Sequence, residues 1–453
     1  MAPRPSSGKV KPMKKLLTFA FLAVVIALRA VADTPVDTPA DTPAGTPVDT
    51  RTGIFDPDFR SLTAQIDGDR LAPPILNIDS PNTLTIGFDQ LGDERTYLRY
   101  TILYCNADWT PSQLTDSEVF DNFNYDEVEQ YAFSRATTTH YIHYTITLPN
   151  SEYRFRLSGN YLLRVYPEDA PDRTVLQQRF MVTENAVTVG GTVNSRTDVD
   201  FNDSHQQLSL TVDTRNTAIR DPNTDLRIVV SQNYRNDDTR TLVHPTRRMS
   251  SRLIYEHLPS LIFTAGNEYR RMETVSNLYP GMGTDHIEYH APNYYHILNT
   301  DLPRARRPYR YDQTQHGRYF IREYSSDESD VEADYPLVLF TLDMLALPDE
   351  DVYLDGDFMQ RRFNSRSRMD YNAELGRYEK LIPLKQGAYN YQYLTLPKGA
   401  VTPEGFSTVP ASTATVEGNH YETVNEYLVL VYYRAPGDRH DRLLGASVLF
   451  SGQ

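Results

Sequence analysis

Tyr97-Leu98-Arg99-Tyr100-Thr101-Ile102-Leu103-Tyr104 is the stretch that decides the fold class. Its large apolar and aromatic side chains recur at every second position, the period of a strand with one face turned to a core. It runs straight into Cys105-Asn106-Ala107-Asp108-Trp109-Thr110-Pro111-Ser112, where Asn, Asp, Pro and Ser mark a tight turn. That turn holds the only cysteine and the only tryptophan of the 453-residue chain. Cys105 closes an apolar alternation and is expected to be buried, and the indole of Trp109 is placed to cover one end of a β-sandwich.

Working outward, residues 83–88, 140–148, 161–166 and 178–182 show the same strand signals at intervals typical of a sandwich. They define an N-terminal β-sandwich module over 53–185. A central β module over 186–303 carries strand signals at 208–212, 226–233 and 261–264. Residues 304–334 read as a linker with a basic-aromatic run (304–311) and an acidic run (327–334) that nearly cancel in charge. A C-terminal Ig-like module over 335–453 opens at Tyr335-Pro336-Leu337-Val338-Leu339-Phe340 and ends in strands at 427–433 and 443–450. No amphipathic helix longer than about three turns emerges from the periodicity. The fold class is all-β, with tandem Ig-like or β-sandwich modules.

Lys9, Lys11, Lys14 and Lys15 precede an apolar run from Leu16 to Leu28, followed by Ala30-Val31-Ala32. This is the pattern of a signal peptide over 1–32 cleaved after Ala32, with Met13 an alternative start. The apolar run is shorter than the roughly 20 residues that span a bilayer. Residues 33–52 repeat Asp-Thr-Pro, which blocks regular structure and offers little to bury, so a disordered spacer is expected. Cleavage removes six basic and no acidic residues, moving the formal charge from −15 to about −21. Such a chain is a poor partner for nucleic acid or anionic lipid. One cysteine cannot form an internal disulfide, so conventional cores must hold the fold.

The Tyr104–Leu114 segment resembles the plug proteins of the type IX secretion system of Bacteroidota. Their pattern there is H-C-D/N-x-x-W before a Pro-Ser turn, with Tyr104 here in place of the His before Cys105, Asp108 and Trp109. Leu148-Pro149-Asn150, Ser158-Gly159-Asn160-Tyr161-Leu162-Leu163 and Arg179-Phe180-Met181-Val182 look like the family's LPN, SGNYLL and RFMV stretches. Gln232-Asn233, Gly266-Asn267-Glu268, Leu384-Lys385-Gln386-Gly387-Ala388-Tyr389-Asn390-Tyr391 and Glu417-Gly418-Asn419 look like its QN, GNE, LKQGYYNY and EGN stretches. Individually weak, these matches follow one another in order over nearly the whole mature chain. The resemblance implies a non-enzymatic periplasmic protein at the inner face of the outer membrane. It would bind the outer-membrane β-barrel translocon and close it when no substrate occupies it. It implies no cofactor and no transmembrane segment.

The chemistry-bearing residues fit that implication. His286, Glu288 and His290 share one face of a strand, with His296 near, but lack a fourth ligand, and no metal is expected. His140 and His143 fall on opposite strand faces. No nucleophile elbow or distinguished carboxylate pair points to catalysis. Asn150 and Asn160 sit at turn positions and read as structural. The alternative function is glycan binding: residues 351–358 and 387–393 resemble glycogen-binding sandwich modules, with Tyr389 and Tyr391 in the role of sugar-stacking rings. The remaining candidate contact is the run Arg304, Arg306, Arg307, Tyr309, Arg310 and Tyr311, which could grip anionic loops of a barrel with arginine stacked on tyrosine.

Overall fold

The alternation at 98–104 is realised as written. In the computed structural model, which describes residues 49–452, Leu98, Tyr100, Ile102 and Tyr104 of the Leu98–Cys105 strand are buried and the residues between them are half-exposed. The signal-peptide segment and most of the Asp-Thr-Pro spacer lie outside the described residues. The last four spacer residues do not: 49–52 are pinned rather than free. Gln177 donates to the Asp49 and Arg51 carbonyls at 2.9 and 2.6 Å, Arg179 Nε to the Thr50 carbonyl at 2.6 Å, and Arg362 pairs with Asp49.

Three sandwiches make up the described chain. In the first, one sheet orders the strands Gly53–Ile54, Leu176–Thr183, Gly159–Pro167, Leu98–Cys105 and Asp126–Glu127, with Ile75–Asn77 parallel to Leu176–Thr183. It faces a sheet of Phe59–Ile66, Leu84–Leu91, Tyr141–Leu148 and Gln130–Phe133. Phe88 stacks on Tyr144 and Tyr161 on Phe180 in its core, each with centroids 5.4 Å apart. Such ring pairs add to the burial of their area.

In the second sandwich a sheet of Thr188–Asn194, His205–Asp213, Arg252–Tyr255 and Arg247–Met249 packs on Thr239–Leu242, Leu226–Gln232, Glu426–Tyr433 and Arg442–Phe450. The strands read from sequence as the end of the C-terminal module therefore belong here: Glu426–Tyr433 pairs antiparallel with Leu226–Gln232, Ile228 opposite Val431. Every residue of Glu426–Tyr433 is buried. Tyr427, Val429, Val431 and Tyr433 face the second sandwich's core, while Leu428, Leu430 and Tyr432 pack with Ala107, Met181 and Trp109 of the first.

Between residues 265 and 425 the chain leaves the second sandwich and builds the third. One sheet joins Arg270–Glu273, Gly387–Pro397 and Tyr319–Ile321, with Glu350–Asp355 also on Gly387–Pro397. The other orders Thr284–His290, Asn293–Leu298, Leu337–Leu342, Arg377–Pro383 and Asp370–Asn372. Strands at 270–298, read as central, and Tyr319–Ile321, inside the expected linker, thus share one core with the C-terminal strands. The departure has a simple cause: alternation reports that a strand has a buried face and carries no information about its hydrogen-bonding neighbour. The three α-helices among the described residues are four residues each, Asp116–Val119, Pro222–Asp225 and Ser329–Glu332.

Candidate functional site

Most of the family-like residues that the sequence singled out lie where the sandwiches meet. Between the first and second, the turn after Leu98–Cys105 forms a joint. Cys105 is buried, and burial pushes its thiol up to about 12, so it stays protonated and unreactive. Asp108 accepts from the Thr110 N–H and hydroxyl at 3.0 and 2.6 Å, which closes the turn. Trp109, at φ +66, sits in the apolar cluster between the sandwiches with the Arg179 guanidinium 4.2 Å above its ring. The indole covers a seam between two sandwiches rather than the end of one. Asn160 donates to the Asn106 carbonyl at 2.8 Å and accepts from the Tyr432 hydroxyl at 2.6 Å. Gly159, at φ +141, has no room for a side chain: a Cβ would lie 2.5 Å from the Tyr104 hydroxyl and 2.9 Å from the Asp441 carbonyl. Ion pairs flank the joint: Arg434 pairs with the buried Asp441, which also accepts from the Ala107 N–H at 2.8 Å, and Arg442 pairs with Glu184.

Between the first and third sandwiches the joint is ionic at its centre. Lys385, only 1% exposed as a side chain, donates to Asp89 Oδ2 and the Asp330 carbonyl, both at 2.6 Å, and its ammonium lies 4.1 Å above the Tyr141 ring. Asp89 also meets the Tyr335 hydroxyl at 2.6 Å and His143 Nδ1 at 2.7 Å. Burial works to raise the Asp89 carboxyl, but the Lys385 charge and His143 outweigh it and hold the group below the usual carboxylate range. Gln386 exchanges backbone and side-chain hydrogen bonds with Asp334, and Asp334 accepts from Thr138 and Thr139 of the first sandwich. A Cβ on Gly387 would meet the Phe320 carbonyl at 2.4 Å.

The second and third sandwiches meet where the chain crosses between them. Asn425 donates to the Ala265 carbonyl at 2.7 Å, tying the returning strand to the departing one, and accepts from Asn233 at 2.8 Å. Gln232 bonds the Tyr427 hydroxyl and the Thr264 carbonyl, both at 3.0 Å. Glu426 takes two 2.7 Å bonds from Arg318 of the third sandwich. Fully buried Glu417 is held by Arg270 at 3.0 Å and Arg304 at 2.6 Å. These outweigh the upward pull of burial and keep its carboxyl low.

Arg304 is thus a structural anchor, not a free contact, and Tyr309 is half-buried with its hydroxyl 2.7 Å from Glu268. Between these anchors the strap presents Arg306, Arg307, Arg310 and Tyr311 to solvent, and the three arginines make no ion pair among the described residues. The acidic run does not neutralise them. Glu328 and Glu332 pair with Arg135 of the first sandwich, and Asp334 belongs to the ionic joint.

Tyr389 and Tyr391 are 1% and 4% exposed, in the core of the third sandwich, and offer no face to a sugar. The Tyr389 hydroxyl instead bonds the Lys385 carbonyl, and its ring stacks on Tyr319 at 5.2 Å. His286 and His290 each contact a different oxygen of Glu288, at 3.1 and 2.8 Å, and no metal-holding cluster occurs among the described residues. His296 lies apart, buried, with its Nε2 3.0 Å from Asn277 Oδ1.

Residues 59–184, the span of the first sandwich, match the family model of the type 9 secretion system plug protein 1st domain. A crystal structure of a hypothetical protein from Parabacteroides merdae is 40% identical and superposes with a TM-score of 0.86, covering 89% of this chain and 100% of its own. The chain belongs to the type 9 secretion system plug protein family. No curated protein matches it. Membership places the protein in type IX secretion. Among the described residues no helix is long and apolar enough to cross a membrane. Of the stretches that resemble the plug family, those around Cys105, Gly159, Gln232 and Lys385 lie at the joints, while Asn150 bonds within the first sandwich and Glu417 within the third. Sequence reasoning missed the joint partners Asp89, Asp334, Asn425, Glu426 and Tyr432. The one signal for them was the unbroken apolar run at 427–433, too apolar for a strand with a solvent face.

Proposed function

We propose that this protein is a periplasmic, non-enzymatic stopper that seats against the outer-membrane barrel of the type IX secretion system and closes it between substrates. The observation that carries the reading is the joints. A barrel wide enough for folded cargo leaks small solutes unless what closes it is rigid over the width of the pore. Three sandwiches free to hinge would flex, since relative motion is the default for domains with small interfaces. Buried pairs such as Asp89–Lys385 and Glu426–Arg318 oppose that motion, because sliding apart would strand a charge in an apolar setting. Release on demand calls for a polar contact surface rather than a large apolar one. The exposed strap of Arg306, Arg307, Arg310 and Tyr311 is our candidate for part of it.

Affinity purification of the full protein from its native envelope under mild detergent should recover the large barrel. Deleting the gene should make cells more permeable to small antibiotics. Intact expression with neither the barrel recovered nor permeability changed would sink the reading.

A further inference from the structure

The first sandwich is left open along one edge. Its two sheets end there in the short strands Asp126–Glu127 and Gln130–Phe133, and all four residues of Gln130–Phe133 are exposed. The aromatic rings of Tyr97, Phe123, Tyr125, Tyr131 and Phe133 line this edge in water, Phe123 at 81% exposure. Arg95 lies 3.7 Å from the centroid of the Tyr131 ring and Tyr131 packs at 6.0 Å on Phe133, so the strip is ordered rather than a loose tip.

The ladder gives the edge a direction. Gln130–Phe133 runs antiparallel to Tyr141–Leu148 with Phe133 opposite Ile142. In the same register the Ser134 N–H bonds the Tyr141 carbonyl at 2.8 Å. Hydrogen-bonded and non-bonded pairs alternate in such a ladder. The pairs 134/141, 132/143 and 130/145 therefore exchange the bonds, and the N–H and C=O of Tyr131 and Phe133 point away from the sheet. No other backbone bond meets them among the described residues. Edge strands are commonly blunted by shortness, lysine, proline or a bulge, and Gln-Tyr-Ala-Phe, at four residues, is short but carries none of the other three.

The geometry points to this edge as a docking site for an extended segment of another protein, added as a further strand beside Gln130–Phe133 and carrying lysine or arginine. Main-chain groups in strand register call for a strand. Charge selects its sequence. The chain carries −15 and repels a second copy of itself, and at the edge the exposed carboxylates of Glu94 and Glu129, which make no ion pair among the described residues, outnumber the Arg95 guanidinium stacked on Tyr131.

The test places the photo-crosslinking residue p-benzoylphenylalanine at Phe133 of the full chain in its native envelope, with the same probe at exposed Leu345 of the third sandwich as control. Crosslinked segments are mapped by mass spectrometry. Support is a crosslink from 133 and not 345 to a segment bearing Lys or Arg, weakened about tenfold by Tyr131→Pro, which removes an outward N–H. Tyr131→Ala, which removes only the ring, should weaken it less, and Glu94→Lys with Glu129→Lys should also weaken it. The double charge variant keeps the test open if the proline variant fails to fold. Equal loss with Ala and Pro, capture of a second copy of this chain or of lipid, or no capture at all would each overturn the proposal. Barrel recovery that survives such a negative result leaves the stopper reading standing.

Discussion

The joint around Asn160 and the joint around Lys385 do the same job by different means. The first centres on an amide between the Asn106 carbonyl and the Tyr432 hydroxyl, and the one carboxylate it buries, Asp441, is held by the Ala107 N–H and by an Arg434 that stays about a third exposed. The second buries an ammonium and a carboxylate together. An amide-centred joint tolerates small losses, because each hydrogen bond contributes only about 1 kcal/mol net. A buried pair is all or nothing, since removing one partner leaves the other uncompensated. The molecule thus has one seam that should weaken gradually and others that should fail abruptly.

Lys385→Met tests this most directly. It leaves Asp89 buried beside Tyr335 without its cation, and a loss of about 3–5 kcal/mol is expected in denaturant unfolding. Adding Asp89→Leu should recover much of that loss, and an additive double variant would show that the pair is not coupled. Acidification should come next in size. His296 Nε2 donates to Asn277 Oδ1, whose amide N–H reaches Asp334 of the ionic joint, and His316 lies 4.0 Å from Glu426. Burial lowers both imidazoles to about 4, against about 6.5 when unfolded. Between those values the unfolded chain binds protons that the folded one refuses. Their contribution is therefore complete above about pH 6.5 and lost as pH falls toward 4, with about 1–2 kcal/mol lost for each between pH 7 and 5. Thermal melts at pH 7 and 5 should show the drop, and His296→Gln should shrink it.

At the amide-centred joint Gly159→Ala should cost about 1–3 kcal/mol by overpacking against Tyr104 and by its positive φ, with little pH dependence. A cost, measured against the unmodified protein, that changed steeply with pH would erase the distinction between the joints. Smallest of all, Arg306→Glu with Arg307→Glu and Arg310→Glu should change stability by less than about 0.5 kcal/mol. If the strap touches the barrel, the same variant should lower barrel recovery.

Strands were legible in the sequence because a half-buried strand must alternate, as at 98–105. Their partners were not, because nothing in Tyr427–Tyr433 names Leu226–Gln232. Burial of charge was equally hidden. A lysine reads as a surface residue, and only the fold brings Asp89, 296 positions away, to Lys385. Arg304 and Arg306 look alike in the sequence, yet one is clamped to a buried glutamate and the other is solvated. Residue type gave the chemistry available, and topology decided which of it is used.

The return of the chain to the second sandwich has a consequence for synthesis. Its sheet of Leu226–Gln232 stays half-built until the ribosome has supplied Glu426–Tyr433 and Arg442–Phe450, about two hundred residues later. Domains tend to complete in the order they emerge, but here the third sandwich is finished before the second. A transcript truncated after residue 397 would yield the first sandwich, most of the third, and a raw sheet edge between them. Such a product invites proteolysis, so Glu426–Tyr433 and Arg442–Phe450 act as the clasp that closes the second sandwich around the third.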